Sequence, residues 1–273
     1  MKRVLVWVLL ILSLPLFSCS TEGHQTDRLL IDVLDVGKAD CIVIRHKEFV
    51  GLIDTAEADD FQKVCAFLQS QRIRKIDFLI LTHFDKDHVG GAAELLEQFE
   101  VLSVYQSAFS HESADHERYL AAAEKKGLTP ICLTENFSFS FGDCQMTICP
   151  PKKSSYPKKE SNNSSLFVTL LHQKNSFGFF GDAMEDRLKE ILEDAPFSFD
   201  TVKIPYHGNY LENYPDFLDK ISFSKACITC SDKNPADEKT LDLLKENEIS
   251  VYQTKNGSIR IASNGKSVSV SQQ

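Results

Sequence analysis

The stretch LTHFDKDHVGG, residues 81–91, places two histidines and two aspartates within six positions: His83, Asp85, Asp87 and His88. They come directly after the apolar run IDFLIL at residues 76–81, which predicts a buried strand. Proteins of the α/β class carry their chemistry in loops at the ends of such strands. The stretch therefore predicts a functional site at a strand end.

Two imidazoles and two carboxylates this close together are costly to bury, at roughly several kcal/mol for each group without a partner. A divalent metal offsets this cost because it binds their lone pairs. Alternate positions of an extended loop face the same way, so His83, Asp85 and Asp87 converge while His88 faces a neighbouring point. This pattern favours two adjacent metal ions over a solvated charged loop. The pair Gly90-Gly91 predicts a tight turn into a helix that begins near Ala92.

The composition bounds the class of protein. The chain has 273 residues, of which 42% are hydrophobic, and a formal net charge of −9. This length is enough for one sizeable core or a closely packed two-lobed domain, and we assign residues 29–273 to a single domain. The acidic balance argues against nonspecific coating of nucleic acid, although it does not exclude a local basic groove.

The N-terminus predicts export. Lys2 and Arg3 precede an apolar run from Val4 to Leu12, which is too short to span a bilayer and indicates a signal peptide over residues 1–18. Leu16-Phe17-Ser18-Cys19 resembles a bacterial lipobox, which predicts lipid on Cys19; an ordinary signal peptide or an uncleaved anchor is the alternative. Residues 19–28 then form a polar tether. We expect an exported bacterial lipoprotein, anchored to the membrane at the extracytoplasmic face by this lipid alone.

Seven cysteines remain when Cys19 is set aside, and most lie inside apolar runs, as buried cysteines do. Cys227 and Cys230 have a zinc-like or redox-like spacing. We discount that function because no second such pair exists and because strand positions three apart face opposite sides. A disulfide remains open, since its pairing cannot be deduced from sequence.

Strands and helices alternate in two strand-rich halves, residues 29–149 and 166–270. Apolar spacing predicts strands over residues 29–36, 41–45 and 50–53 and a helix over residues 61–71. The polar stretch between the halves, residues 150–165, contains four lysines: Lys152, Lys153, Lys158 and Lys159. A solvated basic loop is the simpler interpretation, and local steering of an anionic substrate is the alternative.

The chain contains five separated motifs that resemble those of the ComEC-like branch of the metallo-β-lactamase fold, in the same order. That branch includes the hydrolase domain of the competence protein ComEC. The metal loop, HxHxDH in most of that superfamily, is here HFDKDH, so Asp85 replaces the second histidine. The other four are the opening DVGKADCIVI (35–44) with LIDTA (52–56), NNSSL (162–166), Gly181-Asp182 and KIPYHGN (203–209). Ala39 and Ala56 replace expected glycines, and Tyr206 and Asn209 replace an expected His and Ser.

The resemblance implies a four-layer αββα sandwich in which two mixed sheets are flanked by helices. It implies that one metal is held by His83, Asp85 and Asp182, and a second by Asp87, His88, Asp182 and His207. Asp54 would hydrogen-bond to the metal loop from beneath. We expect two divalent ions, Zn²⁺ or Mn²⁺, with the first held more weakly because it has only one imidazole.

The resemblance also implies a metal-dependent hydrolase at the cell surface, most simply a phosphodiesterase or nuclease that uses a hydroxide activated by two metals. We expect Asp87 to orient that hydroxide, and three side chains to bind the substrate: Asn163, Ser165 and Lys203. The expected partner is an anionic ester, nucleic acid included; no protein partner is indicated. The alternative is a non-catalytic surface lipoprotein of the same fold that binds metal or serves as a scaffold.

Overall fold

The computed structural model describes residues 27–109, 112–158 and 160–273. The predicted signal peptide, the lipidation site Cys19 and most of the predicted tether lie outside the described residues, as does Lys159. Among the described helices, none is both long enough and apolar enough to cross a membrane.

The first large sheet is mixed and has eight strands. In spatial order these are β17 (Val268–Gln272), β16 (Ile259–Ser263), β1 (Leu29–Val33), β2 (Ile42–His46), β3 (Phe49–Ile53), β5 (Phe78–Leu81), β7 (Val104–Ser107) and β8 (Ile131–Leu133). The strands from β3 to β8 pair in parallel, and the others pair antiparallel.

The second large sheet is also mixed and has seven strands. In spatial order these are β15 (Ser250–Gln253), β14 (Ile221–Ile228), β13 (Phe197–Lys203), β12 (Asn175–Phe179), β11 (Phe167–His172), β10 (Cys144–Cys149) and β9 (Phe137–Phe141). The strands β12 to β15 run parallel, whereas β9 to β12 form an antiparallel meander. A small parallel pair stands apart from both sheets: β4 (Lys75–Ile76) and β6 (Glu100–Val101).

Eight α-helices connect these strands within the described residues. They are α1 (Phe61–Ser70), α2 (Lys86–Val89), α3 (Ala92–Gln98), α4 (Ala114–Lys125), α5 (Glu160–Asn163), α6 (Glu185–Glu193), α7 (Tyr214–Lys220) and α8 (Glu238–Glu246). The helix predicted over residues 61–71 is confirmed as α1. The first predicted strand is shorter than expected because the Leu34 N–H leaves the ladder and donates to the Cys41 carbonyl.

Three separate hydrophobic seams show that the chain folds in four layers. One seam packs α1, α3 and α4 against the outer face of the first sheet. The second lies between the two sheets, and the third packs α6, α7 and α8 against the outer face of the second sheet. The predicted four-layer αββα sandwich with two mixed sheets is therefore confirmed.

Strand β5 explains why the run before the metal loop is apolar at every position. Phe78 and Ile80 enter the seam between the sheets, whereas Leu79 and Leu81 enter the seam beneath the helices. A strand covered on both faces cannot alternate polar and apolar residues. The loop that follows is thereby held at the edge of a rigid, fully buried strand.

The described residues of the stretch 150–165 pack against the fold rather than being merely solvated. Tyr156 is buried, and its hydroxyl donates to Glu190 of α6 at 2.9 Å. Lys152 Nζ lies 2.8 Å from Asp194, and Lys153 Nζ lies 3.8 Å from Glu190. Acidic groups around α6 therefore offset the charge of Lys152 and Lys153, which weakens the steering interpretation for these two lysines.

Gly90 and Gly91 serve close packing rather than a special turn. Both have right-handed helical torsion angles, which any residue adopts. A Cβ at Gly90 would overlap the Lys86 carbonyl, and a Cβ at Gly91 would overlap the Thr55 carbonyl. The glycine pair therefore lets the metal loop lie against the segment that follows β3. The helix expected near Ala92 is confirmed as α3.

We predict that Gly91→Ala lowers the stability of the fold by about 1–3 kcal/mol, because the overlap is with backbone that cannot rotate away. Bound metal should fall as well, since the loop and the Thr55 segment must separate. Chemical denaturation and metal analysis measure the two effects. Gly127→Ala is the control: it meets left-handed strain at φ +68° but no atom within 4 Å, so it should lower stability without lowering metal content. Equal metal loss in both variants would contradict this account.

Candidate metal centre

The site lies at one edge of the sandwich, where four strands end. Asp54 follows β3 and the metal loop follows β5 in the first sheet. Asp182 follows β12, and His207 follows β13 in a short 3₁₀ segment, Pro205–Gly208, in the second sheet. Segments far apart in sequence therefore meet because the strands that precede them end at a common edge.

Four of the predicted ligands converge. Asp87, His88, Asp182 and His207 each offer one ligand atom, and these four atoms all lie within 4.8 Å of one another. His207 Nε2 lies 3.2 Å from Asp182 Oδ2 and 3.4 Å from Asp87 Oδ2, and His88 Nε2 lies 3.4 Å from Asp182 Oδ1. These four residues are the set that the resemblance assigns to the second metal.

His83 and Asp85 flank this cluster. The rings of His83 and His88 are 4.1 Å apart between centroids, and His83 Nε2 lies 3.7 Å from Asp85 Oδ2. The Asn162 amide joins the two groups, since its Nδ2 donates to Asp85 Oδ2 at 3.2 Å and to Asp182 Oδ2 at 3.4 Å. Asp182 thus stands between the two predicted sets of ligands.

The protons of the three histidines are fixed from behind. His88 Nδ1 lies 2.7 Å from Asp54 Oδ2, and a carboxylate only accepts, so Nδ1 carries the hydrogen. His207 Nδ1 faces the carbonyl of Thr229 at 3.2 Å and its hydroxyl at 2.9 Å. The carbonyl accepts and the hydroxyl hydrogen goes to Asp40 Oδ1 at 2.6 Å, so His207 Nδ1 also donates.

His83 obeys the same logic. Its Nδ1 lies 3.1 Å from Thr82 Oγ1, whose own hydrogen goes to Asp54 Oδ2 at 2.7 Å. Nδ1 therefore donates to Thr82. Each ring is tied to a carboxylate, either directly or through one hydroxyl, which is the arrangement that orients histidine ligands of metals.

The opposite nitrogens are buried without hydrogen-bond partners. Nε2 of His83, His88 and His207 and Oδ1 of Asp182 are all buried and unbonded. Such groups are rare in proteins because each lost hydrogen bond is costly. Those of His88, Asp182 and His207 lie in the compact cluster described above, and His83 Nε2 lies beside it near Asp85. This arrangement fits bound cations, so the residues present match the metals that the sequence predicts.

The charges of the site also fit two divalent ions. One ammonium group, that of Lys203, lies among the carboxylates of the site. Five carboxylates lie in the site or directly beneath it: Asp40, Asp54, Asp85, Asp87 and Asp182. Five negative charges and one positive charge leave four negative charges, which two dications balance. Burial lowers the pKa of His88 and His207, but the Asp182 carboxylate outweighs it and raises both above the ordinary value. Without metal, protons bound to His88 and His207 therefore supply part of the positive charge that the metal ions would bring.

Asp54 takes the position that the resemblance implies. Its carboxylate is fully buried and accepts from the Thr82 N–H at 2.8 Å, besides the Thr82 hydroxyl and His88. Its own backbone has a left-handed φ of +58°. Ala56, which replaces an expected glycine, is also left-handed at φ +62°, which explains why that motif favours glycine there.

The three predicted substrate contacts are corrected, because all three side chains are buried and hold protein partners. Ser165 Oγ accepts from the Asp182 N–H at 3.1 Å. Asn163 accepts from the Arg187 N–H at 3.1 Å and donates to the Lys158 carbonyl at 3.1 Å. Lys203 Nζ contacts Asp40 Oδ2 at 2.5 Å and the Gly181 carbonyl at 3.1 Å. These residues position the ligands rather than face a substrate.

Three functional residues were missed from the sequence. Asp40 lies beneath the site, 2.6 Å from the Thr229 hydroxyl and 4.0 Å from His88 Nδ1. Asn162 joins the two ligand sets. Asp40 and Asn162 lie inside recognised motifs, so they could have been identified if every polar position of those motifs had been considered. Thr229 follows strand β14 and has no motif around it.

Tyr206 and His207 adopt left-handed torsion angles, with φ of +49° and +54°. Non-glycine residues in this region are strained, and such strain concentrates at functional sites. The Asn209 side chain donates to the Tyr206 carbonyl at 2.8 Å and holds this turn. Asn209 therefore acts here on the backbone that carries His207.

The seven cysteines of the described residues are free, and none belongs to this site's ligand cluster. Cys227 packs between the sheets and Cys230 packs beneath the helices of the second sheet, on opposite sides, as the spacing predicts.

We predict that Thr229→Val weakens metal binding about 10–100-fold, because His207 loses the nearer of its two acceptors and the hydroxyl that ties its ring to Asp40. Competition against a chromophoric chelator measures the affinity. Thr240→Val is a matched control, since the Thr240 hydroxyl is buried in α8 with no hydrogen-bond partner. Equal affinities in the two variants would remove Thr229 from the account.

Comparison with known proteins places the chain in a family. The model of the metallo-beta-lactamase superfamily matches residues 34–214. ComE operon protein 3 of Bacillus subtilis (strain 168) is 26% identical over an alignment of 265 residues that covers 88% of this chain. This chain spans only 33% of the length of that relative.

Solved structures share the fold at low identity. The metallo-beta-lactamase fold protein YhfI from Bacillus subtilis aligns with a TM-score of 0.55 and 11% identity, covering 89% of this chain and 100% of YhfI. CmlA, a diiron beta-hydroxylase from Streptomyces venezuelae, aligns with a TM-score of 0.52 and 15% identity, covering 84% of this chain and 53% of CmlA. The family model, the sandwich and the His/Asp cluster agree: this chain belongs to the metallo-beta-lactamase superfamily.

Proposed function

We propose that this chain is a metal-dependent phosphodiesterase or nuclease, exported and attached to the extracytoplasmic face of the membrane by lipid on Cys19. The observation that carries the proposal is the cluster of unbonded Nε2 and carboxylate atoms in a site whose side chains have a net charge of −4. The ComEC-like resemblance favours phosphodiesters among the substrates of metallo-hydrolases.

We assign one divalent ion to His83, Asp85 and Asp182 and a second to Asp87, His88, Asp182 and His207. The first set is rich in carboxylate and favours a hard ion such as Mn²⁺, whereas the second set also suits Zn²⁺. When bound, such a pair lowers the pKa of a water molecule and withdraws electron density from a phosphoryl oxygen.

Exposure indicates the side from which a substrate approaches. The side chains of Asp85 and Asp87 are 28% and 16% exposed, whereas those of His83, His88, Asp182 and His207 are at most 3% exposed. A phosphodiester therefore meets the two loop carboxylates first. A cavity of about 450 Å³ beside α5 is lined in part by Phe109, Lys152 and Lys153, and we assign it to the rest of the substrate.

Asp87 is suited to orient the attacking water. Burial raises its pKa, but the close contact with His207 and the charge of His88 outweigh burial and hold the pKa well below the usual range. The carboxylate therefore stays ionised at every working pH and accepts a hydrogen bond instead of donating one. Its partial exposure leaves an oxygen available to that water.

Tyr206 is suited to donate to the substrate. Burial, followed by the charges of Asp182, Asp85 and Asp87, raises the pKa of its phenol, so the hydroxyl remains protonated. A neutral donor beside the metal loop stabilises negative charge on a phosphoryl or leaving oxygen. Tyr206 stands where the family motif has a histidine.

The function is tested on the purified full-length chain. Metal content is measured by mass spectrometry, counting zinc, manganese and iron, and hydrolysis is measured on bis-p-nitrophenyl phosphate and single-stranded DNA. Two bound metals with metal-dependent cleavage support the proposal. Two metals without cleavage contradict phosphodiester hydrolysis, and a chain that binds no metal would support the scaffold alternative instead.

Asp87→Ala should abolish hydrolysis and lower metal content while the fold persists, because the side chain is partly exposed and leaves no sealed cavity. Asp219→Ala, an exposed carboxylate on α7, is the control and should change neither quantity. Circular dichroism verifies the fold of both. Full activity in the Asp87 variant would exclude its assigned role.

Tyr206→Phe should lower the turnover number about 100-fold with unchanged metal content, since only the donor hydroxyl is removed. Tyr252→Phe, which removes a hydroxyl from β15, is the control and should leave turnover unchanged. Loss of metal together with turnover in Tyr206→Phe would assign the tyrosine to the support of His207 instead.

A further inference from the structure

A second cluster of metal-ligating side chains lies at the edge of the sandwich opposite the site described above. It consists of His46, Cys144 and His172, and we call it the far-edge cluster. His46 ends β2 and pairs with Phe49 at the start of β3, whereas Asp54 follows the end of β3. His172 ends β11 and pairs with Asn175 at the start of β12, whose other end leads to Asp182. The two sites are therefore separated by the length of the strands.

All three side chains point into the seam between the sheets. Side chains two residues apart share a face of a strand. Ile44 precedes His46, Met146 follows Cys144 and Leu170 precedes His172 at this spacing, and all three belong to the inter-sheet core. The far-edge cluster thus closes one end of that core and joins β2 of the first sheet to β10 and β11 of the second.

The cluster is compact and sealed. One ligand atom from each of His46, Cys144 and His172 lies within 4.8 Å of the other two. Cys144 and His172 are direct partners in the β10–β11 register, and the two imidazole rings are 4.9 Å apart between centroids. The side chains of both histidines are fully buried, and Cys144 is 2% exposed.

The proton of His172 is fixed away from the cluster. Asn175 Nδ2 donates to the Asp200 carboxylate at 3.3 Å, so its Oδ1 faces Ser263. The Ser263 hydroxyl donates to that Oδ1 at 2.8 Å, and hence accepts from His172 Nδ1 at 2.8 Å. A neutral His172 therefore presents the lone pair of Nε2 to the cluster, in the arrangement that orients histidine ligands.

Each ring has a buried nitrogen without a hydrogen-bond partner, Nδ1 in His46 and Nε2 in His172. A purely structural pair of histidines in an apolar seam would leave this cost uncompensated. A cation that takes the Nε2 lone pair of His172 removes one of the two vacancies and also gives the Cys144 sulfur a partner.

Asp143 supplies an oxygen at the rim. It belongs to the turn between β9 and β10, its carboxylate contacts His46 Nε2, and its Oδ2 lies 3.7 Å from His172 Nε2. The side chain is 37% exposed and also pairs with Lys47 Nζ at 2.9 Å. A thiolate, two imidazoles and a carboxylate are all ligand types that zinc accepts, and together they supply the four ligands of tetrahedral zinc.

We propose that the far-edge cluster binds a zinc-class transition ion through His46, Cys144, His172 and Asp143. Thiolate and imidazole ligands select such ions over Mg²⁺, Ca²⁺ or Mn²⁺. The thiol proton leaves to the buffer on binding, and the thiolate and carboxylate then balance the charge of the dication. Because its ligands come from both sheets, the ion links the two sheets. This site is independent of the proposed hydrolytic function.

Cobalt(II) distinguishes this site from the candidate metal centre. The candidate metal centre has only nitrogen and oxygen ligands, so a thiolate-to-cobalt charge-transfer band in the near ultraviolet reports the far-edge cluster alone. We expect Co²⁺ added to saturation to produce this band in the full-length chain. The band should vanish in Cys144→Ser and persist in Cys132→Ser, which removes an exposed thiol. Zn²⁺ added in excess should displace the cobalt and bleach it.

Stability gives a second readout. In an Asp182→Asn background, Zn²⁺ should raise the melting temperature, and His172→Gln or Cys144→Ser in the same background should remove that rise. Absence of the band in the wild-type chain, or its persistence in Cys144→Ser, would overturn the proposal. A band with no hydrolytic activity would uphold this site while the proposed function fails, and cleavage without the band would do the reverse.

Discussion

The candidate metal centre depends on one constraint: each histidine of the site gives its Nδ1 hydrogen to a group behind it. His88 donates directly to Asp54. His83 donates to the Thr82 hydroxyl, which itself donates to Asp54, and His207 donates to the Thr229 hydroxyl, which itself donates to Asp40. With Nδ1 committed, Nε2 of His88 and His207 faces the Asp182 carboxylate, and Nε2 of His83 faces Asp85 beside it. Two buried carboxylates that bind no substrate thereby determine the chemistry of the ligands in front of them.

This constraint explains why the fold needs its two sheets. Asp40 and Asp54 belong to the first sheet, and Thr229, Asp182 and His207 to the second. Asp40 Oδ1 accepts from Thr229 across 189 positions of sequence, and Asp40 Oδ2 pairs with the buried Lys203. Breaking a buried pair of this kind leaves an uncompensated charge, at a cost of about 3–5 kcal/mol. The metal ligands and the junction between the sheets are therefore supported by the same contacts.

The ligands of the site could be predicted from short segments of sequence, because each one follows a strand that its own residues identify. The apolar run of β5 and the metal loop lie within sixteen residues, and Asp182 and His207 each follow a recognisable buried strand. The network behind them was not predictable in this way, because Asp40, Lys203 and Thr229 meet only when strands from both sheets are placed side by side. The substrate contacts were misassigned for the same reason: Asn163, Ser165 and Lys203 are polar residues near the site in sequence, but packing turns them into its supports. The glycine pair was identified correctly, but its role is close approach to Thr55 rather than an unusual turn.

The most direct test is anomalous diffraction from crystals of the chain loaded with zinc or manganese. The account predicts two anomalous peaks at the candidate metal centre, with Nε2 of His88 and His207 on one ion, Nε2 of His83 on the other, and Asp182 between them. The Nδ1 atoms should keep their contacts to Asp54, Thr229 and Thr82. A metal bound through Nδ1, or a fully loaded crystal with no peak among these side chains, would contradict it.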